Sequence, residues 1–118
     1  MQRIDPYFHF QDARGEITGV TRGMELREAN FIRSIAGTVR GGHYHRDTWE
    51  LFYIISGTID IVLGTPDGTE TSRFQVGPGA TFLIEPMELH TFHVLEDASW
   101  MNFLSRPIDE ADPDIHRP

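Results

Sequence analysis

Residues 37–57 read GTVRGGHYHRDTWELFYIISG. The second half, Trp49 to Ser56, is an aromatic and β-branched run closed by Gly57, which is the composition of a strand. The first half is broken by Gly37, Gly41 and Gly42 and then presents His43, Tyr44 and His45. On an extended chain residues i and i+2 point to one face, so both imidazoles aim at one point and Tyr44 lies on the other side. Glu50 follows after four intervening residues, enough for a short bend and re-entry into the strand. Its carboxylate then reaches the same point.

Working outward, the same short-strand pattern continues. Residues 29–36 read as a strand with Phe31, Arg33 and Ile35 on one face and Ile32 and Ser34 on the other. Ser56-Gly57 turns into Thr58 to Leu63, where Ile59, Ile61 and Leu63 alternate with Thr58, Asp60 and Val62. Thr65-Pro-Asp-Gly68 is a hairpin turn leading to a returning strand, Thr69 to Val76. Ala80 to Glu85, Leu89 to Leu95 and Trp100 to Leu104 complete the set. No stretch of ten or more residues has helical periodicity, and the 11 Gly and 7 Pro punctuate short strands. The prediction is an all-β fold, a single-domain jelly-roll barrel whose closure removes exposed sheet edges. Residues 1–28 form N-terminal strands or an arm, 29–104 the barrel core, and 105–118 an irregular tail or at most a short helix. Trp49 and Trp100, with Phe52, Phe82, Phe92 and Phe103, are expected to build the barrel wall.

Composition removes whole classes of chemistry. The chain has 118 residues, no Cys and, since all 10 basic residues are Arg, no Lys. Disulfides, thiolate nucleophiles, Cys-held zinc, Schiff-base catalysis and a P-loop lysine are excluded. The longest run of bulky apolar residues, Leu51 to Ile55, is far short of the ~20 that span a membrane as a helix. MQRIDPYFHF lacks an apolar signal core, so the expected location is cytoplasmic. The net charge is -8, which argues against a nucleic-acid partner. Residues 1–50 hold seven Arg and seven acids, whereas residues 51–118 hold three Arg and eleven acids. An anionic small ligand is therefore expected to meet arginines of the first half.

The strand Leu89 to Leu95 adds His90 to the pair and the carboxylate. Three neutral imidazoles and one carboxylate suit a divalent mid-row ion, with one or two positions open for water or substrate. A lone strand histidine is more often hydrogen-bonded or at the surface than a ligand. The frame around this pair is what changes the reading. Gly37, five residues, His43-x-His45, four residues, Glu50, six residues and Gly57 resembles the first motif of the cupin superfamily without gap or substitution. Gly79, six residues, Pro86, three residues and His90 is similar to the second cupin motif in a weaker form. That motif usually has five residues before its proline, a glycine where Glu88 stands and an asparagine where Val94 stands. The resemblance implies a double-stranded β-helix barrel holding one divalent metal ion (Zn, Fe, Mn, Ni or Co) on His43, His45, Glu50 and His90. His93 has the opposite strand parity to His90 and is expected to point away.

A second resemblance covers residues 12–45. Asp12-Ala-Arg-Gly15, then Asn30, Ser34, Gly37, Arg40-Gly41 and His43, looks like the pattern of sugar-nucleotide epimerase and ketoisomerase cupins and of capsular-sugar cupin domains. It implies an epimerase- or isomerase-like enzyme of sugar or polysaccharide metabolism, with Arg40 and Arg14 binding phosphate. It also makes His43 the counterpart of a proton-abstracting histidine, a role that a metal-bound imidazole does not fill; the tighter spacing favours the metal. Tyr44, Tyr53, Glu85 and Glu88 are candidate acid–base groups, with Tyr53 and Glu85 put forward as catalytic. Two alternatives stay open: an Fe(II) oxygenase using the same four ligands, and a non-catalytic module binding a metal or small ligand. Small cupins commonly dimerise through an N-terminal strand, and Tyr7 to Phe10 fits a homodimer contact.

Overall fold

A computed structural model describes residues 1–118. It contains eleven strands and no helix, so no helix is long and apolar enough to cross a membrane. In chain order they are β1 (Gln2–Arg3), β2 (Phe8–Asp12), β3 (Gly15–Gly19), β4 (Glu28–Ser34) and β5 (Val39–His43). There follow β6 (Glu50–Ser56), β7 (Ile59–Gly64), β8 (Glu70–Val76), β9 (Thr81–Ile84), β10 (Leu89–Val94) and β11 (Ala98–Leu104). Each strand between 29 and 104 coincides with a predicted one to within a residue or two at its ends, apart from β5, where glycines had masked the extended chain.

All pairings are antiparallel. One sheet has the order β1-β9-β6-β11-β4, and the facing sheet has the order β5-β10-β7-β8. The sheets keep edges at β1, β4, β5 and β8 instead of closing fully. Charged side chains such as Arg33 on β4 and Arg73 on β8 mark two of these edges, which discourages further strand pairing.

Alternation explains the core. Phe52 and Ile54 of β6, Ile59, Ile61 and Leu63 of β7, Phe92 and Val94 of β10, and Trp100 of β11 turn inward and pack as one cluster with Phe82 and Ile84. The Phe52 and Phe82 rings stack at 5.2 Å, and Phe92 meets Trp100 at 5.6 Å. Trp49 departs from the expected wall: it precedes β6 and is 39% exposed.

β2 and β3 pair only with each other. Register places Phe10 opposite Ile17 and Phe8 opposite Gly19, so one face of this hairpin is apolar and about half exposed. The tail after β11 forms no helix. It turns back across the molecule and makes an isolated bridge between His116 and Tyr44.

Candidate metal centre

The cluster arises where β5 ends. β5 pairs with β10, and His43 stands directly opposite His90, with a register shift between His90 and Thr91. Gly41 has a φ of +82°, and a Cβ there would lie 2.6 Å from the carbonyl oxygen of His90. Glycine therefore lets the two backbones approach at the site. The chain leaves the strand after His43, and Tyr44 turns against His116 of the tail, their rings 5.5 Å apart and tilted by 34°. His45 returns to the same side as His43, their ring centroids 5.0 Å apart. Glu50 opens β6 in the facing sheet, its inward parity shared with Phe52 and Ile54.

The ligand atoms of His43, His45, Glu50 and His90 all lie within 4.8 Å of one another. His45, Glu50 and His90 are buried and His43 is half-buried. His93 faces the other way, as its parity requires, and stays out of the cluster.

Two imidazoles are oriented from behind. Nδ1 of His45 donates to the backbone oxygen of Asp114 at 2.8 Å, and Nδ1 of His90 donates to that of Glu88 at 3.0 Å. A carbonyl only accepts, so Nδ1 carries the donated proton in both rings and Nε2 faces the cluster. This arrangement fixes the tautomer of metal-bound histidines. Nε2 of His45 is buried without a hydrogen-bond partner, although Oε1 of Glu50 is only 2.9 Å away. The distance allows a hydrogen bond and the alignment does not. A buried lone pair beside a carboxylate, with no donor between them, is a donor set that fits a cation.

The charges agree with this. Burial would push the Glu50 carboxyl up, but His45 and His90 outweigh it and bring it down to about 2. Burial, with the neighbouring His90 and His45, lowers His43 to about 4, so it is a free base at neutral pH. Burial also acts to lower His45, yet Glu50 and the Asp114 carbonyl overcome it and hold this imidazole above its ordinary value.

Two cavities flank the cluster, and His43, Glu50, Ile32 and Asn102 line both. One, of about 150 Å³, runs into the sandwich between Phe52, Phe92 and Trp100, with Arg40 at its wall. The other, of about 250 Å³, is roofed by tail residues including Ile108 and Ile115. Nε1 of Trp100 and Oδ1 of Asn102 are buried without partners. Arg40 is held by Ser34 Oγ at 3.0 Å and the Arg33 carbonyl at 3.1 Å.

The other predicted residues lie elsewhere. Arg14 sits on the free hairpin, its guanidinium 2.6 Å from Asp12 and its side chain 86% exposed, beside a groove that shares no residue with the cluster's cavities. Tyr53 has the opposite parity to Glu50 and Phe52 and projects from the outer face of β6. Glu85 is exposed in the bend after β9 and lines neither cavity. Three residues with a place here escaped sequence reasoning. The sequence marks Trp100 only as barrel wall, gives Asn102 no signal, and places Asp114 in a tail without periodicity.

The family model described as the polysaccharide biosynthesis C-terminal domain matches residues 10–106. No curated protein matches the chain. Among solved structures, the sugar 3,4-ketoisomerase QdtA from Thermoanaerobacterium thermosaccharolyticum, in complex with TDP, is 19% identical. The match covers 98% of this chain and 86% of that one, with a TM-score of 0.77. The TDP-quinovose 3,4-ketoisomerase WlaRB from Campylobacter jejuni is 16% identical over 99% and 92% of the two chains, with a TM-score of 0.83. The capsular polysaccharide assembling protein CapF from Staphylococcus aureus is 18% identical, with a TM-score of 0.67. That match covers 93% of this chain and 33% of CapF, so this chain spans about a third of that protein. At these identities the likeness establishes the fold, which is the cupin fold.

Proposed function

The chain belongs to the polysaccharide biosynthesis C-terminal domain family, and from that membership we propose a metal-holding cupin that isomerises or epimerises a small carbonyl-bearing sugar. The observation that carries the proposal is the convergence of three imidazoles and one carboxylate, with His45 and His90 turned by backbone carbonyls so that Nε2 faces inward. His43, His45, Glu50 and His90 would hold the ion. A divalent cation held there would supply Lewis acidity toward the carbonyl of a keto sugar.

The chain's own residues handle the rest of the ligand. Trp100 offers an N–H and Asn102 an amide oxygen, both unpartnered and buried, in residues that line the inner cavity. A donor and an acceptor a few residues apart suit hydroxyl groups. Ile32, Phe52 and Phe92 keep water from the same space. Arg40, fixed by Ser34 and the Arg33 carbonyl, brings a permanent positive charge to the wall of an otherwise acidic molecule. That favours an anionic ligand, and the ketoisomerases of similar fold that were solved with TDP or named for a TDP sugar point to a nucleotide-linked keto sugar. The half-exposed apolar face of the β2–β3 hairpin supports a homodimer.

The direct test is incubation of metal-supplemented protein with nucleotide-linked keto sugars in D₂O. Deuterium should enter at the carbon beside the carbonyl, with a shifted carbonyl in the product of isomerisation or an inverted centre in that of epimerisation. Absence of exchange across a broad panel overturns the proposed reaction.

A further inference from the structure

Asp114 grips the loop that carries His45 in two ways at once. It is 4% exposed, although it belongs to an irregular tail. Its Oδ1 accepts from the backbone N–H of Arg46 at 2.9 Å and from Nε2 of His116 at 3.0 Å. Its Oδ2 accepts from the N–H of Asp47 at 2.9 Å, the N–H of Thr48 at 3.0 Å and the Thr48 hydroxyl at 2.8 Å. Its main-chain oxygen meanwhile accepts the Nδ1 proton of His45. The side chain thus fixes the backbone of residues 46–48, and the carbonyl fixes the ring just before them.

Other tail contacts support this placement. Tyr44 and His116 exchange both backbone hydrogen bonds, at 2.9 and 3.0 Å. Nη1 of Arg117 reaches the carbonyl of Gly42 at 3.2 Å. Asp114 adopts a φ of +54°, which a residue with a Cβ holds only where its surroundings dictate it. The strain is met by charge-assisted hydrogen bonds to a carboxylate, which are among the strongest a protein makes.

We infer that Asp114 is a positioning residue for the metal centre and that the C-terminal segment is a strap coupled to cation binding. This rests on the metal reading of the cluster. With the strap docked, His45 is locked as its Nδ1–H tautomer with Nε2 inward. With the strap detached, the ring loses its acceptor and is free to turn. Coupling is reciprocal, so a bound cation must hold the strap down as firmly as the strap improves the site.

Titration with Co(II) tests this on the full-length protein. Asp114→Gly tolerates the backbone angle and removes every side-chain hydrogen bond, so Co(II) affinity should fall about 10- to 100-fold, and the visible bands should shift as one nitrogen ligand is lost. Asp114→Asn keeps part of the acceptor set and should fall between Gly and the native residue. A folded Gly variant with native affinity and native spectrum overturns the inference. If the Gly variant does not fold, hydrogen exchange on the native protein decides: Co(II) should slow exchange across residues 114–117, and exchange indifferent to Co(II) overturns the coupling. If the native protein takes up no Co(II), the metal reading is what fails. Nitrogen-15 imidazole spectra of the metal-free protein then judge the positioning role: His45 should be Nδ1–H and should lose that preference in Asp114→Gly, where the side-chain bonds that dock the strap are gone, and an unchanged tautomer in a folded Gly variant overturns it.

Discussion

Nε2 of His45 and Oε1 of Glu50 stand 2.9 Å apart in a buried site, with no hydrogen bond aligned between them. A lone pair and an anion at that separation repel unless something positive lies between. Without a metal, the charge of Glu50 and the Asp114 carbonyl favour a proton on this imidazole and hold His45 above its ordinary value against the effect of burial. A divalent cation replaces that proton, so binding should release protons and weaken as pH falls.

The metal-free protein should also lose stability in acid, in a definite window. His43 is lowered to about 4 in the fold, so between its ordinary value of 6.5 and about 4 the unfolded chain binds the proton more readily. Stability must then fall as pH drops through that range. Glu50, brought down to about 2 from 4.5, adds stability above 4.5 that disappears as pH falls toward 2. His45 has the opposite sign: its contribution is full below 6.5 and fades as pH rises through its raised value. Melting of chelator-treated protein should therefore show a midpoint that falls from pH 6.5 to 4, with a flatter profile for His43→Gln. A midpoint that is level or rises over that range contradicts the assignment.

Trp100→Phe separates folding from ligand recognition. It conserves most of the ring packing and removes a buried N–H that has no partner. The lost volume opposes the relief of an unmet donor, which is of order 1–3 kcal/mol, so the melting midpoint should barely fall or should rise. Sugar-nucleotide binding, followed by calorimetry, should weaken. A large loss of stability with unchanged binding would show that the indole serves the core alone.

Gly41→Ala should damage the fold and the site together. The residue has a φ of +82°, and its Cβ would meet the His90 carbonyl oxygen at 2.6 Å. The cost should exceed about 1 kcal/mol, and metal affinity should drop because His90 opposes His43 across this same pairing. Denaturant melts and metal titration of one sample check both. Native stability would place the strain elsewhere.

The arginines should behave differently. Arg40→Ala should weaken binding of nucleotide diphosphates and sugar phosphates, because Arg40 lines the cavity beside the cluster. Arg14→Ala should leave that binding and the melting midpoint unchanged, since its partner is Asp12 on an exposed turn. Equal losses from both variants would require the hairpin to reach a ligand site, for example across a subunit boundary.

The sequence was most legible where the structure is local. β6 followed from its aromatic and β-branched composition and β7 from period-two alternation, and the near placement of His43, His45 and Glu50 followed from eight residues of chain. His90 needed more: its meeting with His43 depends on β5–β10 pairing and on a register shift that no composition signals. Arg14 and Asp12 could be paired from their spacing, but the independence of their hairpin could not be read, because detachment is a property of the whole topology. Asp114 was hidden completely. Its importance comes from a chain reversal that places residue 114 against residues 45–48, and an acidic, proline-containing tail gives no periodic cue for that return.

Elemental analysis of protein purified after growth in metal-supplemented medium tests the central claim most directly. The predicted result is about one divalent ion per chain in the native protein and almost none in the His43→Ala/His45→Ala double variant, with both samples folded. A native protein without metal, or a double variant with undiminished metal, would contradict it.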